Sequence, residues 1–354
     1  MTPPPPSRLR RLQLGARAIK TSTYEISATC NLTCEGCLFF SGEHAYKHTE
    51  VSDAERWRKF FQREAERGIT YAFLAGAEPA LAIDRVRAAA EYIPAGMIAT
   101  NGTRRIPDDV RYRIHVSLWG GEATTALTRG ADVTAKAFRN YANDPRAVFV
   151  FTINAMNLDE IRPMAYACAK HGVPMTFNYF APTEVYETSI SVDQPSRDDY
   201  LRFSDQDRNL ILRDEDYARA RTIIDGLRDE LPETIVYSSA YDDWITSESP
   251  YDLDETGVAR DCASRSDSVH QTYFVDQARS DLKCSHPTFD CRQCRTYASG
   301  MTSHVRNENR DVMRRRGRQS SSDAFDVWER LFVGDQWTRL SAHSDTARRR
   351  VLPA

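Results

Sequence analysis

A chain of 354 residues suits one large domain with an appendage, or two domains, and an apolar fraction of 41% supports a sizeable core. A formal net charge of -3 argues against strong attraction to nucleic acid or to an anionic membrane surface. No apolar run approaches the roughly 18 residues of a membrane span, and the opening MTPPPPSRLRRLQLG carries charge without the apolar stretch of an export signal.

These exclusions place the eight cysteines in a reducing compartment, the cytoplasm, where clustered thiols favour metal binding or catalysis over disulfides. Residues 1–20 read as an extended tail rich in Pro and Arg. The alternating stretch 21–27, TSTYEIS, reads as a strand and runs into ATCNLTCEGCLFF. A helix then opens at Ser52, with Glu55 three residues on as in a capping box, and stops at Gly68. Apolar runs at 70–76, 96–102, 113–119, 147–155 and 173–180 read as strands, with helical patterns near 84–92, 131–143 and 158–171 between them. The link 103–112 is too short for a long helix. Six strands in such alternation, apolar on both faces, predict an α/β fold with a parallel sheet, either open and doubly wound or a partial barrel. After Pro182 comes a polar connection, 183–260, with one helix at about 214–230. A cysteine-rich region spans 261–300, and an Arg-rich extension, 301–354, holds one helix at DAFDVWERLF.

Cys30, Cys34 and Cys37 are spaced C-x3-C-x2-C directly after the first strand, hence at the C-terminal edge of the sheet, where α/β enzymes carry their chemistry. Thiolates are soft ligands for iron–sulfur clusters, zinc or copper(I). Structural zinc takes four ligands, and the nearest further donors are His44 and His48. A 4Fe–4S cluster on three cysteines leaves one iron open to a small molecule.

This arrangement resembles the radical S-adenosylmethionine (radical SAM) superfamily. The resemblance implies a partial (β/α)6 TIM-like barrel over 21–182. It also implies a 4Fe–4S cluster on the three cysteines, with S-adenosylmethionine on the open iron, cleaved reductively to a 5′-deoxyadenosyl radical that takes hydrogen from substrate. A flavodoxin- or ferredoxin-type donor would supply the electron. Gly76, Ala77, Glu78 and Pro79 resemble the family's Gly-Gly-Glu-Pro turn, whose backbone and acid meet the methionine amino group. Asn101 lies in a family-like Thr-Asn-Gly, and Ser117 and Asn154 fall where the family contacts ribose, carboxylate or adenine. Two positions depart from the family pattern. Gly36 stands where an aromatic often precedes the last cysteine, with Phe39 or Phe40 as substitutes, and Ala77 replaces the second glycine.

Cys262, Cys284, Cys291 and Cys294, spaced C-x21-C-x6-C-x2-C, match a closed four-thiol site for a second 4Fe–4S cluster or zinc, with His270 and His286 as further zinc donors. TYFVDQARSDLKC reads as a hairpin delivering Cys284. The group resembles the small C-terminal auxiliary-cluster domains called Twitch and SPASM, of which Twitch holds one cluster. Ala278, Arg279 and Ser280 occupy the region where those domains usually carry a glycine. Cys168 reads as a buried structural thiol on an outer helix. Tyr179, ending the sixth strand, is expected to reach the lumen.

The expected substrate is a small molecule such as a sugar, a nucleoside or another natural-product intermediate, with oxidation, epimerisation or bond formation as the outcome. The basic runs 314–318 and 348–350 read as solvated surface, with a substrate phosphate as the alternative role. The alternatives for the whole chain are a maturase of a ribosomal peptide or protein and a non-catalytic metal-binding protein of the same fold.

Overall fold

The computed structural model describes residues 18–40, 47–281, 283–284, 290–314 and 323–342. The proline-rich tail to residue 17, His44, His286 and the basic runs at 315–318 and 348–350 lie outside them.

Seven parallel strands form one sheet in the order β6-β5-β4-β3-β2-β1-β7. They are β1 (Thr21–Glu25), β2 (Tyr71–Ala75), β3 (Ala95–Thr100), β4 (Arg113–Leu118), β5 (Ala147–Ile153), β6 (Met175–Tyr179) and β7 (Thr272–Tyr273). The helices between them are α1 (Ala54–Glu66), α2 (Ile83–Tyr92), α3 (Glu122–Arg129), α4 (Thr134–Tyr141) and α5 (Ile161–Lys170). There follow α6 (Glu184–Ile190), α7 (Asp214–Glu230), α8 (Ser239–Ile245), α9 (Ala263–Ser266), α10 (Tyr297–Arg314) and α11 (Ala324–Trp328). The six expected strands are present, and α7 has the expected bounds. The seventh strand is a finding: the cysteine-rich region contributes β7, which pairs with β1 at the sheet edge.

Two local expectations are corrected, and one helix is added. Asp53, not Ser52, caps α1, because its carboxylate accepts from the Glu55 N–H. The helix expected near 131–143 is α4, and it is preceded by a helix that was not expected, α3, which Gly130 closes by turning left-handed at φ 76°. Tyr179 faces outward, away from the lumen. It is in register with Ile153, and its hydroxyl donates to buried Asp242 at 2.8 Å.

Alternation along the strands sorts two faces. Tyr24 packs on Phe60 and Phe61 of α1, Phe149 stacks on Phe138 of α4, and Phe177 meets Tyr237, so this parity faces the helices. The opposite parity lines a lumen. Glu25, Ala75, Ala99 and His115 follow one another across β1 to β4, and Thr152 pairs with Asn178 across β5 and β6. Phe73, Ala75, Ala99, Ser117 and Asn178 are partly exposed although their strands are central, which marks that side as open. The C-terminal segment fills its lower part. Phe332 packs on His115 and Tyr297, while Arg113 Nε donates to the Leu331 carbonyl at 3.1 Å and His115 Nε2 lies the same distance from it. Burial holds His115 neutral, down to about 3.

Asp242 also accepts from the Tyr237 hydroxyl at 2.8 Å, and burial pushes its carboxyl up to about 6. The folded chain therefore holds a proton that the unfolded chain releases near pH 4, so stability falls as pH rises from about 4 to 6. Asp242→Asn keeps an oxygen for the tyrosines. Urea unfolding across that range is expected to show a flatter pH dependence in the variant, by about 2–3 kcal/mol end to end.

Candidate functional site

Because every strand pair is parallel, the loops leaving the strands' C-termini gather at one edge. The cysteine loop follows β1 there, fastened on two sides. Its Thr33 and Glu35 N–H groups donate to the Arg129 and Thr128 carbonyls, at 3.3 and 2.7 Å, which caps the C-terminus of α3. Its Gly36 N–H donates to the Tyr200 carbonyl at 2.8 Å.

Cys30, Cys34 and Cys37 are half-buried and close enough for a charge on one to oppose ionisation of another. Burial first, then a charge on Cys34, pushes the Cys37 thiol up to about 12. Burial raises Cys30, and Cys34 and Glu78 add to it. Buried groups of like charge that resist ionising together are matched to a cationic centre that would remove their protons. Arg129 adds a fixed positive charge, with Nε 3.5 Å from Cys34 Sγ and Nη1 donating to the Ser117 carbonyl at 2.8 Å. Among the described residues no three His, Cys, Asp or Glu side chains form the ligand set of a single ion. Three soft thiols in one loop are a donor set that fits an iron–sulfur cluster.

Gly76 ends β2 at φ 121°, where a Cβ would stand 2.6 Å from the Ser27 carbonyl oxygen, so only glycine lets β2 approach the start of the cysteine loop. The Ala77 N–H donates to that same oxygen at 2.8 Å. Glu78 is buried, and Pro79 starts a short helical turn behind it. Glu78 Oε1 accepts from the Ala80 N–H (2.8 Å) and the Thr100 hydroxyl (2.6 Å), and Oε2 from the Asn101 N–H (2.7 Å). Burial raises its carboxyl, opposed by those three bonds and by the charge of Arg129. Asn101 in turn donates to Asn31 Oδ1 at 2.9 Å and lies 3.7 Å from Cys30 Sγ. The turn after β2, the end of β3 and the cysteine loop thus form one hydrogen-bonded unit.

Ser117 is on the lumen side of β4, partly exposed. Asn154, fully buried after β5, accepts from the Met156 N–H at 3.0 Å, and its Nδ2 has no partner. An orphaned buried donor at this edge fits a ligand that supplies the acceptor. The ring before Cys37 is replaced from elsewhere. Gly36 adopts φ 59°, and a Cβ there would meet the Phe180 and Tyr186 rings at 3.0 and 3.1 Å. Phe39 packs edge-on against Phe40, which stacks on Tyr200 at 4.7 Å.

In the second group, Cys262, Cys291 and Cys294 interact. Burial raises the Cys294 thiol, with Cys262 and Cys291 adding to it, and Tyr251 stands beside Cys294 and Cys262. The predicted hairpin is present: Phe274 N–H donates to the Ala278 carbonyl and Ser280 N–H to the Thr272 carbonyl. Gln277 takes the left-handed position at φ 70°, doing here what a glycine does at no cost. The hairpin leads to Cys284, whose carbonyl accepts from Ser280 Oγ at 2.8 Å. His270 lies at the β1–β7 junction against Thr21, and His48 pairs with Asp276. Cys168 is buried on α5 and its thiol is raised by burial. A surface cleft of about 450 Å³ between α1 and the hairpin is lined by none of the cysteines and by none of the Gly76–Pro79 turn. Arg129, Asn31 and Thr103, which accepts from Asn31 Nδ2 at 2.9 Å, carry no sequence signal, because their partners are distant in the chain.

No protein-family model matches the chain, and no curated protein matches it in sequence. Solved structures match it in fold. SuiB of Streptococcus suis bound to S-adenosylmethionine aligns with a TM-score of 0.52 at 12% identity, over 78% of this chain and 64% of SuiB. The native form of anSMEcpe with bound AdoMet aligns at 0.51 and 12% identity, over 94% of this chain and 99% of that one. The chain thus shares its fold with these S-adenosylmethionine-bound proteins. SuiB bound to precursor peptide SuiA matches at 0.51 and 10% identity, over 81% of this chain and 66% of that one, so the chain spans just under two thirds of SuiB. Within this fold, the cysteine loop and the GAEP turn meet at the edge that carries the open lumen. No helix among the described residues is long and apolar enough to cross a membrane.

Proposed function

We propose that the chain is a radical SAM enzyme of the cytoplasm. The observation that carries this is the meeting, on a radical SAM fold, of three half-buried thiols with the Gly76–Pro79 turn. Cys30, Cys34 and Cys37 hold a 4Fe–4S cluster, and Gly76, Ala77, Glu78, Pro79, Asn101, Ser117, Asn154 and Phe39 line the S-adenosylmethionine site. With both bound there and an electron supplied by a flavodoxin- or ferredoxin-type donor, they would supply hydrogen-atom abstraction from a substrate. The chain's own part is binding and shielding. Arg129 offsets thiolate charge at Cys34, the free Asn154 amide N–H donates to the cofactor, and buried Trp119 and Phe180 keep water from the mouth. Cys262, Cys284, Cys291 and Cys294 hold an auxiliary 4Fe–4S cluster.

The substrate is a small molecule. Ala75 and Ala99 leave room in the lumen beside uncharged Ser117, Thr152 and Asn178, a setting for a compact polar ligand. The likeness to SuiB, bound in one structure to a precursor peptide, favours a peptide as the second reading.

Reconstituted protein, reduced without oxygen and given S-adenosylmethionine, is expected to release 5′-deoxyadenosine, and Cys37→Ala is expected to release none. Intact cofactor in the wild-type mixture would sink the proposal and leave a non-catalytic metal protein. Deoxyadenosine raised by candidate peptides, and not by sugars or nucleosides, would move the assignment to the peptide reading.

A further inference from the structure

Residues 202–204 present three successive backbone N–H groups to one point, an arrangement that binds anions. The anion there is the chain's own. Glu35, fully buried between Cys34 and Cys37, accepts from Arg202 N–H at 2.8 Å through Oε2, and from Ser204 N–H at 3.0 Å and Phe203 N–H at 3.4 Å through Oε1. The attachment is doubled. The Arg202 guanidinium donates to the Thr33 carbonyl, to Thr33 Oγ1 at 2.9 Å and to the Leu127 carbonyl at 2.8 Å. Leu201 and Phe203 join the apolar cluster of Trp119, Phe180 and Tyr186 against which Cys34 packs.

We propose that Glu35 is a positioning residue that locks the 198–204 segment over the cysteine loop, so that the thiols are held in place and shielded before any metal arrives. A carboxylate suits this better than an amide. It is an acceptor on both oxygens, and bonds to a charged group are about twice as strong as neutral ones. The segment is supplied by the polar connection after α6, which gives that region a task at the metal loop. This inference rests on the assignment of Cys30, Cys34 and Cys37 as cluster ligands, and its test does not require a cluster.

The test is thiol alkylation of the full-length metal-free protein, each cysteine followed by peptide mass spectrometry. In Glu35→Gln, the new NH2 faces a backbone N–H and the lock opens. Cys34 and Cys37 are then expected to react about tenfold faster than in the wild type, while Cys168 in the core keeps its rate. Arg202→Ala is expected to move the same two thiols in the same direction. Unchanged rates at Cys34 and Cys37 in both variants would overturn the proposal. A rise shared equally by Cys168 would also overturn it, since Glu35 would then serve general stability. In reconstituted samples, faster loss of iron to a chelator from Glu35→Gln than from wild type is the second expected result. Wild-type protein that takes up no iron at Cys30, Cys34 and Cys37 would count against the cluster assignment while the alkylation result stood.

Discussion

Replacing Cys30, Cys34 and Cys37 together by alanine is expected to leave a folded protein that retains about four irons and four sulfides per chain after anaerobic reconstitution, half of the wild-type content. The reasoning is spatial. The second group draws on α9, the hairpin and the segment before α10, whereas the first is held by the loop after β1, the end of α3 and the turn after β2. Cys294 is half-buried with Cys262 and Cys291 close by, and its Sγ lies 3.2 Å from Thr296 Oγ1, a polar contact of the kind that tunes cluster thiolates. Cleavage of S-adenosylmethionine is expected to vanish. Retention of one zinc and no iron would make the second group a structural clip, and the chemistry would have to be redox-neutral at the barrel. Loss of all metal would remove the auxiliary site from the proposal altogether.

What could be read from the sequence followed the range of the forces involved. The strands and α7 were legible because their signals are local: Ala220, Ile224 and Leu227 recur at helical spacing and are buried together. The three thiols and the GAEP turn were legible because the chemistry demands their spacing. The helix α3 was missed because it is only eight residues long, and Gly130 shows itself as its stop only through a φ of 76°. The strand β7 is two residues long, and only its pairing with Thr23 and Tyr24, some 250 positions earlier, makes it a strand. Tyr179 was assigned to the wrong face for a similar reason. At a strand end the parity is decided by register with Ile153 and by a partner, Asp242, that no local pattern announces. Glu35 shows the same limit at the site itself. It sits inside the cysteine motif, yet the amides it binds are 167 to 169 residues away.

Glu78→Gln is expected to lower the unfolding free energy by about 2 kcal/mol, because the site uses both carboxylate oxygens as acceptors. If the amide oxygen takes the place of Oε1, it still serves Thr100 and Ala80, but the NH2 then confronts the Asn101 N–H, donor against donor, where no water reaches. If the amide is turned over, Thr100 can rotate its hydroxyl but the Ala80 N–H is stranded. Either way one buried donor goes unpaired, at about 1–3 kcal/mol. Glu78→Ala strands all three and is expected to cost more than the glutamine variant. The damage should also travel. Asn101 is held by Glu78 through its backbone and holds Asn31 through its side chain, so loosening the end of β3 loosens the cysteine loop. Denaturant unfolding of the metal-free protein reads the first effect, and calorimetric binding of S-adenosylmethionine to the reconstituted protein reads the second. A Gln variant as stable as wild type but weak in cofactor binding would place the carboxylate's role in contact with the cofactor alone. A variant weakened in both, in step with Thr100→Val, would assign it to the tie between β2 and β3.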